Sequence, residues 1–177
     1  MTYRLLGISG ALRRASYNTA LVRAAGALAG DDVEFTIADI DLPLYNGDVE
    51  DRGYPDKVVA FVEAIRAADG VVISTPEYNK NLSGVLKNAL DWQSRFKPVP
   101  LVGKPVAIMS ATGGAAGGQL SQFSLRHCLT PFGAKVLSQP QVHVGSNTTT
   151  GLFVDGELAD PKIRDYVATL MKTLRAI

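Results

Sequence analysis

The sequence predicts an α/β fold in which one parallel β-sheet carries helices on both faces. Short apolar, β-branched runs alternate along the chain with segments whose apolar residues recur every three to four positions. The apolar runs are nearly continuous, which is typical of parallel strands buried on both faces, and parallel neighbours require helical crossovers. At 177 residues, with 46% hydrophobic residues, the chain has room for a single domain, residues 1–177.

The first half of the chain is predicted to contain three strands and two helices. Tyr3–Ser9 and Gly70–Ile73 are mostly apolar, as central strands are, whereas Val33–Ala38 alternates apolar with polar residues and suits a position nearer the sheet edge. Asp39–Pro55 is rich in Asp, Pro, Asn and Gly, which predicts a long surface loop. The helices are marked by apolar residues on one face: Leu21, Val22, Ala25 and Leu28 in the first, and Val58, Phe61, Val62 and Ile65 in the second.

The second half is predicted to contain three helices, two strands and a small hairpin. The last helix has the clearest pattern, with Asp160 as its N-cap and Pro161 in its first position. The last strand is interrupted at Pro140. The other elements are helices Ser83–Asp91 and Gln119–Leu129, strands Lys104–Ala111 and Lys135–Val144, and a hairpin around Asp155-Gly156.

Five strands favour one of the two common orders of doubly wound sheets. The order 2-1-3-4-5 suits a chain of this size, so we expect a flavodoxin-like three-layer sandwich with a five-stranded parallel sheet. In this order the loops after strands one, three and four lie side by side at the switch point, where such sheets bind ligands. These three loops are the unusual ones in the sequence.

The loop over residues 9–18 combines hydroxyls, an amide and a guanidinium with the start of a helix. Helix N-terminal amides and the helix dipole favour phosphate, so this loop predicts an anion site. The loop matches neither the Walker A motif nor the G-x-G-x-x-G fingerprint. An ordinary helix cap at Ser16 or Asn18, beside solvated arginines, explains it equally well.

The other two loops predict the walls of the same site. Residues 74–81 form a polar loop with an aromatic side chain, Tyr78, and residues 112–118 (TGGAAGG) let the main chain approach a flat ligand closely. A phosphate site, a polar aromatic wall and a glycine floor together suit a mononucleotide with a flat ring. FMN meets this description more naturally than NAD, which would need the second half of a Rossmann domain.

Several motifs are similar to those of a known family. The loop G-A-L-R-R-A-S-Y-N, the segment P-E-Y-N followed by S-G-V-L-K-N-A-L-D-W, and a G-G loop leading to L-R-x-x-L-x-P-F-G-A resemble the NADPH-dependent FMN reductases. That family includes flavodoxin-like quinone, chromate, ferric and azo-dye reductases. The resemblance runs from Arg4 to about Val144, and P-E-Y-N is its most specific part. The family usually has Ser where this chain has Ala11, and Ser9 is the candidate replacement for that hydroxyl.

The resemblance implies a set of FMN-binding residues. It assigns the phosphate to four side chains, the isoalloxazine ring to the P-E-Y-N segment, and the pyrimidine edge to the third loop. It also places the helix Ser83–Trp92, with Arg95 and Phe96, at the interface of a homodimer or homotetramer. The implied FMN contacts are Ser9, Arg13, Ser16 and Asn18 for the phosphate, Pro76, Glu77, Tyr78 and Asn79 for the ring, and Ser110, Gly113 and Gly114 for the pyrimidine edge.

The activity implied is a ping-pong transfer of hydride from NADPH or NADH to the flavin and onward to a small-molecule acceptor. The acceptors considered are quinones, azo compounds, chromate, ferric complexes and free flavin. FMN carries the redox chemistry, so no side chain is named as a catalytic acid or base. Lys80 and Arg95 are candidates for the 2′-phosphate of NADPH, and a solvated surface role explains each of them equally well. The alternative is a flavodoxin-type electron carrier without turnover of its own, although such carriers are usually strongly acidic and this chain is near neutral.

Charge and composition argue against other classes of function. The net charge of +1 gives no basic face for nucleic acid, and no apolar run is long enough to span a membrane. The single Cys128 cannot form an internal disulfide, which favours the cytoplasm. His127 and His143 are isolated, with no metal-binding pattern around them, so we expect structural roles and no bound metal.

Overall fold

A parallel sheet organises the computed structural model, which describes residues 2–146 and 151–177. Its strands are β1 (Tyr3–Ser9), β2 (Val33–Ile37), β3 (Gly70–Thr75), β4 (Pro105–Ala111), β5 (Lys135–Val136) and β6 (Val142–Val144). The strand order is β2-β1-β3-β4-β5, with β6 also paired to β4, and every pairing is parallel. The predicted flavodoxin-like order is confirmed.

The predicted fifth strand forms as two short pieces. β5 pairs with the start of β4, where Lys135 lies opposite Pro105, and β6 pairs with its end, where Val144 lies opposite Ala111. Pro140 lies between the pieces and has no N–H to donate to a ladder. The interruption predicted at this proline is therefore confirmed.

Helices cover both faces of the sheet. They are α1 (Tyr17–Leu28), α2 (Gly47–Glu50), α3 (Asp56–Ala67), α4 (Gly84–Ser94), α5 (Gln119–Leu129) and α6 (Pro161–Arg175). A 3₁₀ turn, Thr130–Phe132, follows α5, and a hairpin of β7 (Phe153–Val154) and β8 (Glu157–Leu158) precedes α6. The one-turn helix α2 lies in the predicted loop Asp39–Pro55, where the side chain of Asn46 caps it by accepting from the N–H of Asp48.

Two apolar cores, one on each face of the sheet, explain why the sequences of the central strands are continuously hydrophobic. Successive side chains of a strand point to opposite faces, so each face needs its own apolar set. Leu6 and Ile8 of β1 pack under α3, α4 and α5, and Leu5 packs under α1 and α6. Gly7 allows α1 to approach closely, because a Cβ there would lie 2.4 Å from Cγ1 of Val22. None of the described helices is both long and apolar enough to cross a bilayer.

Candidate functional site

A cavity of about 560 Å³ lies at the carboxyl ends of the central strands. This volume falls within the usual range for small-molecule sites. Three loops contribute to its walls, namely those that follow β1, β3 and β4, and the β7–β8 hairpin supplies a fourth wall. The three loops that sequence reasoning singled out are therefore brought together around one space.

The loop after β1 forms one end of this cavity. Ser16 is the N-cap of α1, because its Oγ accepts from the N–H of Asn18 at 3.2 Å, and it also lines the cavity. Arg13 lines the cavity too, and its guanidinium has no hydrogen-bond or ion-pair partner among residues 2–146 and 151–177. An unpaired guanidinium, a hydroxyl and a helix N-terminus together favour an anion.

Asn18 connects the loops through hydrogen bonds of its buried side chain. Its Oδ1 accepts from the N–H of Ala111 at 3.0 Å and from the hydroxyl of Ser74 at 2.8 Å, and its Nδ2 donates to the carbonyl of Ala111 at 2.9 Å. The residue is buried and lies on the cavity lining, and its side-chain amide makes these three hydrogen bonds. Asn18 therefore ties α1 to the ends of β3 and β4.

The loop after β3 contains a tight two-residue turn. Tyr78 and Asn81 exchange two backbone hydrogen bonds, at 3.0 and 3.1 Å. Asn79 and Lys80, between them, have positive φ angles of 52° and 66°, the conformation of a type I′ turn, which asparagine tolerates well. The turn lies beyond the cavity lining, whereas Pro76, Glu77 and Tyr78 are on it.

Glu77 links this loop to α5. Its Oε2 accepts from the backbone N–H groups of Leu120 and Ser121 at 3.0 and 3.3 Å, which lie in the first turn of that helix. A carboxylate at a helix N-terminus is stabilised by the free amides and the helix dipole. Glu77 thus fixes the wall of the cavity while it contributes to its lining.

The glycine-rich loop after β4 is held from behind by Ser110. The hydroxyl of Ser110 donates to the carbonyl of Gly117 at 2.5 Å and accepts from Nε2 of Gln122 at 2.8 Å. Gly117 and Gly118 have positive φ angles of 63° and 83°, and a Cβ on Gly117 would lie 2.8 Å from the carbonyl carbon of His143. The loop can therefore follow this path only with glycine at these positions.

His143 packs behind the same loop and gives stability a pH dependence. Burial, together with the charge of Arg126, lowers the pKa of His143 below its ordinary value of 6.5. Ser110 and Gln141 are its other polar neighbours. The unfolded chain then binds a proton at this histidine more readily than the folded chain does. The contribution of neutral His143 to the free energy of unfolding is therefore complete above pH about 6.5 and is lost as pH falls through the folded-state pKa.

We expect His143→Gln to make the melting temperature fall less steeply than that of the wild type between pH 7.5 and pH 5. Differential scanning fluorimetry at a series of pH values measures this slope. His127→Gln is the matched control, since His127 is exposed on α5. Equal slopes in the two variants would contradict the assignment.

Seven of the eleven predicted site residues lie on the cavity lining: Arg13, Ser16, Asn18, Pro76, Glu77, Tyr78 and Gly113. Four do not. Ser9 is buried with its Oγ 2.8 Å from Oγ1 of Thr19, Asn79 is in the type I′ turn, and Ser110 is behind the glycine loop. The carbonyl of Gly114 accepts from the N–H groups of Gly117 and Ser146, which ties the loop to the segment after β6.

Sequence reasoning missed the contribution of the β7–β8 hairpin. Phe153, Asp155 and Gly156 line the cavity, although they lie about forty residues after the nearest of the three loops. The Asp-Gly pair predicts the hairpin correctly. Nothing local in the sequence indicates that this hairpin reaches the first loop, because that placement depends on how it packs along α1.

Three side chains that the resemblance places at the subunit interface make contacts away from the cavity. Trp92 is fully buried and donates from Nε1 to the carbonyl of Pro43 at 2.7 Å. Arg95 forms an ion pair with Glu50 at 2.9 Å. Phe96 stacks on another aromatic ring, with 4.1 Å between centroids. The Nε of Arg95 thus pairs with Glu50, while its side chain is 46% exposed and does not line the cavity.

The residues present fit FMN. At one end, Arg13 and Ser16 offer a charge and a hydroxyl that match a phosphate. At the other, Pro76 and Tyr78 offer flat apolar surface, and the N–H of Gly113 has no partner within the described chain. No group of three His, Cys, Asp or Glu side chains within residues 2–146 and 151–177 could hold a metal ion.

Comparison with known proteins identifies the family. The model of the NADPH-dependent FMN reductase family matches residues 3–149. The chain is 40% identical over 173 residues to an NAD(P)H-dependent FMN reductase of Pseudomonas aeruginosa, covering 97% of this chain and 93% of the relative. It is 43% identical over 169 residues to a quinone reductase of Escherichia coli, covering 93% and 89%.

A solved structure has the same architecture. The flavoenzyme NAD(P)H:(acceptor) oxidoreductase FerB from Paracoccus denitrificans superposes with a TM-score of 0.86 at 29% identity, over 98% of both chains. The superposition thus covers nearly the whole chain, whereas the family model ends at residue 149. The chain belongs to the NADPH-dependent FMN reductase family.

Proposed function

We propose that this chain is an FMN-dependent NAD(P)H oxidoreductase that reduces quinones by a ping-pong reaction. The observation that carries the proposal is the single cavity at the switch point, with an anion-binding end at Arg13 and Ser16 and a flat, open end at Tyr78. The quinone reductase activity named for the Escherichia coli relative makes a quinone the first acceptor to test.

Bound FMN supplies the hydride chemistry, and the residues of this chain bind and orient it. Arg13 and Ser16 would hold the phosphate. Pro76, Glu77 and Tyr78 would flank the ring, and the N–H of Gly113 would be available to its polar edge and would stabilise negative charge there. Tyr78 is 54% exposed, so this wall leaves the ring accessible to NAD(P)H and then to the acceptor.

The four predicted residues that lie off the cavity lining are assigned supporting roles in this proposal. Ser9 and Ser110 hold the first and third loops through their hydroxyl groups, Asn79 forms the turn that ends the ring wall, and Gly114 connects the third loop to residue 146. Lys80 follows Asn79 in that turn, and Lys80 and Arg95 are the candidates for the 2′-phosphate of NADPH.

Anaerobic stopped-flow spectroscopy tests the activity. The FMN-loaded protein is mixed with NADPH or NADH, and we expect the flavin absorbance near 450 nm to bleach within seconds. Addition of benzoquinone should restore it. A flavin that does not bleach with either coenzyme would refute the reductase proposal and favour the electron carrier. Comparison of the two coenzymes also measures the preference between NADH and NADPH.

We also propose that the functional unit is a homodimer, or a homotetramer built from such dimers. Leu120 and Phe123, 45% and 54% exposed, lie three residues apart on α5, and the N–H of Leu120 donates to Glu77, the residue before the exposed Tyr78. A further cavity of about 640 Å³ lies between α4 and the end of α5. A second copy that covers this face would bury apolar surface beside the flavin site.

Phe123→Asp is expected to shift the mass measured by light scattering from at least twice 18.8 kDa to that of one chain, because a carboxylate would be buried in the interface. Tyr166→Asp is the control, since Tyr166 is an equally exposed aromatic residue on α6. A wild-type protein that is already monomeric would contradict the proposal.

We place the protein in the cytoplasm, which accords with its single cysteine.

A further inference from the structure

The β7–β8 hairpin lines the cavity beside the first turn of α1. Its tip, Asp155-Gly156, has positive φ angles of 50° and 81°, as a type I′ turn requires. At its base, the N–H of Ala159 donates to the carbonyl of Leu152 at 2.9 Å, and Leu158 is buried in the core under α1 and α6. The position of Asp155 is thus set by regular backbone geometry.

The hairpin runs along α1, whose first turn marks the anion-binding end. The rings of Phe153 and Tyr17 lie with their centroids 4.6 Å apart. On the other side of the hairpin, Gly156 and Glu157 line a second, smaller cavity together with Arg23 of α1. Asp155 therefore reaches the main cavity from the α1 side, next to the residues that would hold a phosphate, and not from the side of the flavin ring.

The charges on the cavity lining are unevenly distributed. Arg13 is its only cationic side chain among the described residues. Of the two carboxylates, Glu77 is engaged by two amides of α5, whereas Asp155 has no hydrogen-bond or ion-pair partner in residues 2–146 and 151–177. One guanidinium and one helix N-terminus suffice for a single phosphate. A second phosphoryl group would find no further cation on the described lining, where the one unpaired carboxylate is that of Asp155.

We propose that Asp155, presented by the hairpin turn, restricts the site to flavin monophosphate and disfavours flavins that carry a pyrophosphate, such as FAD. This inference rests on the proposed flavin site and adds to it a residue that selects the cofactor. Asp155 lies beyond residues 3–149, the segment that the family model matches. Repulsion of a second phosphate, rather than binding of the first, is the role that its unpaired charge performs.

Titration of the flavin-free protein with three flavins tests the proposal. Riboflavin has no phosphate, FMN has one and FAD has two, and quenching of flavin fluorescence gives each dissociation constant without any turnover. For the wild type we expect FAD to bind at least about tenfold more weakly than FMN, and this gap to narrow with added salt, because screening weakens charge repulsion. The affinity for riboflavin should not depend on salt.

Asp155→Asn is the informative variant, since asparagine keeps the size of the side chain and tolerates positive φ. We expect the ratio of FAD to FMN dissociation constants to fall by at least about threefold, the scale of one screened charge interaction, while riboflavin binding is unchanged. Glu157→Gln is the matched control, because Glu157 is on the same hairpin but faces the smaller cavity. In Glu157→Gln the ratio of FAD to FMN dissociation constants should equal that of the wild type.

Two results would overturn this role for Asp155. One is an unchanged ratio in Asp155→Asn. The other is a parallel loss of riboflavin and FMN affinity, which would make the carboxylate an acceptor for the ribityl hydroxyls instead. If the wild type binds no FMN at all, the proposed flavin site fails and this inference fails with it. FMN binding with an unchanged ratio would leave the flavin site standing and remove only the selectivity of Asp155.

Discussion

Replacing Arg13 and Ser16 together by alanine is expected to weaken FMN binding on the order of 100-fold. Hydrogen bonds to a charged group contribute roughly 1.5–3 kcal/mol each, and the exposure of Arg13 places its contribution at the lower end of that range. Two such losses amount to about 3 kcal/mol, and each 1.4 kcal/mol is a factor of ten in affinity. Fluorescence titration of the flavin-free protein measures the change.

The same titration contains its own controls. Riboflavin, which lacks the phosphate, should bind the double variant as it binds the wild type. Arg14→Ala should leave FMN affinity unchanged, because Arg14 is an exposed neighbour of Arg13 that does not line the cavity. If the double variant retains wild-type FMN affinity, or loses riboflavin affinity to the same extent, the phosphate is bound elsewhere.

Asn18→Ala is expected to lower the free energy of unfolding by about 3 kcal/mol, because the variant leaves buried polar groups without partners, at a cost of roughly 1–3 kcal/mol each. The N–H of Ala111 and the hydroxyl of Ser74 both lose the oxygen that they donate to. Urea denaturation followed by circular dichroism measures the difference. FMN binding should also weaken, since Asn18 sets the relative positions of the first and third loops.

Asn18→Asp separates hydrogen bonding from packing in this site. Aspartate has nearly the same shape and can still accept from Ala111 and Ser74, but it cannot donate to the carbonyl of Ala111, and it introduces a buried charge. We expect it to be at least as destabilising as alanine. Arg23→Ala, an exposed change on the same helix, should alter stability by no more than about 0.5 kcal/mol. If alanine at position 18 costs no more than this control, the proposed tie between the loops does not exist.

Much of the architecture was predictable because it follows from local patterns. The apolar runs of β1, β3 and β4 face two cores and therefore read as continuous. The cap and proline at the start of α6 gave its first residue correctly, since both act within one helical turn. The interruption at Pro140 followed from the missing N–H of proline. Each of these features depends on residues that are close together in the sequence.

The candidate site was predictable only in part, because local patterns predict its loops but not the directions of their side chains. Strand order places the three loops together, and the types of residue in them indicate a phosphate and a flat ring. The resemblance also named Ser9 and Ser110, which the structure places behind the loops, because the direction of a side chain at a strand end depends on what packs around it. The two-residue turn at Asn79 likewise became visible only in the structure.

The sequence by itself determined the fold, the position of the cavity at the switch point and the family, because hydrophobic periodicity and short motifs are local properties. Only the tertiary structure decided which side chains reach the cavity and that the β7–β8 hairpin forms one of its walls. Packing of Leu158 and Phe153 along α1 produces that placement. Contacts between distant segments leave no periodic signature, and Asp155 acquires its proposed role through such a contact.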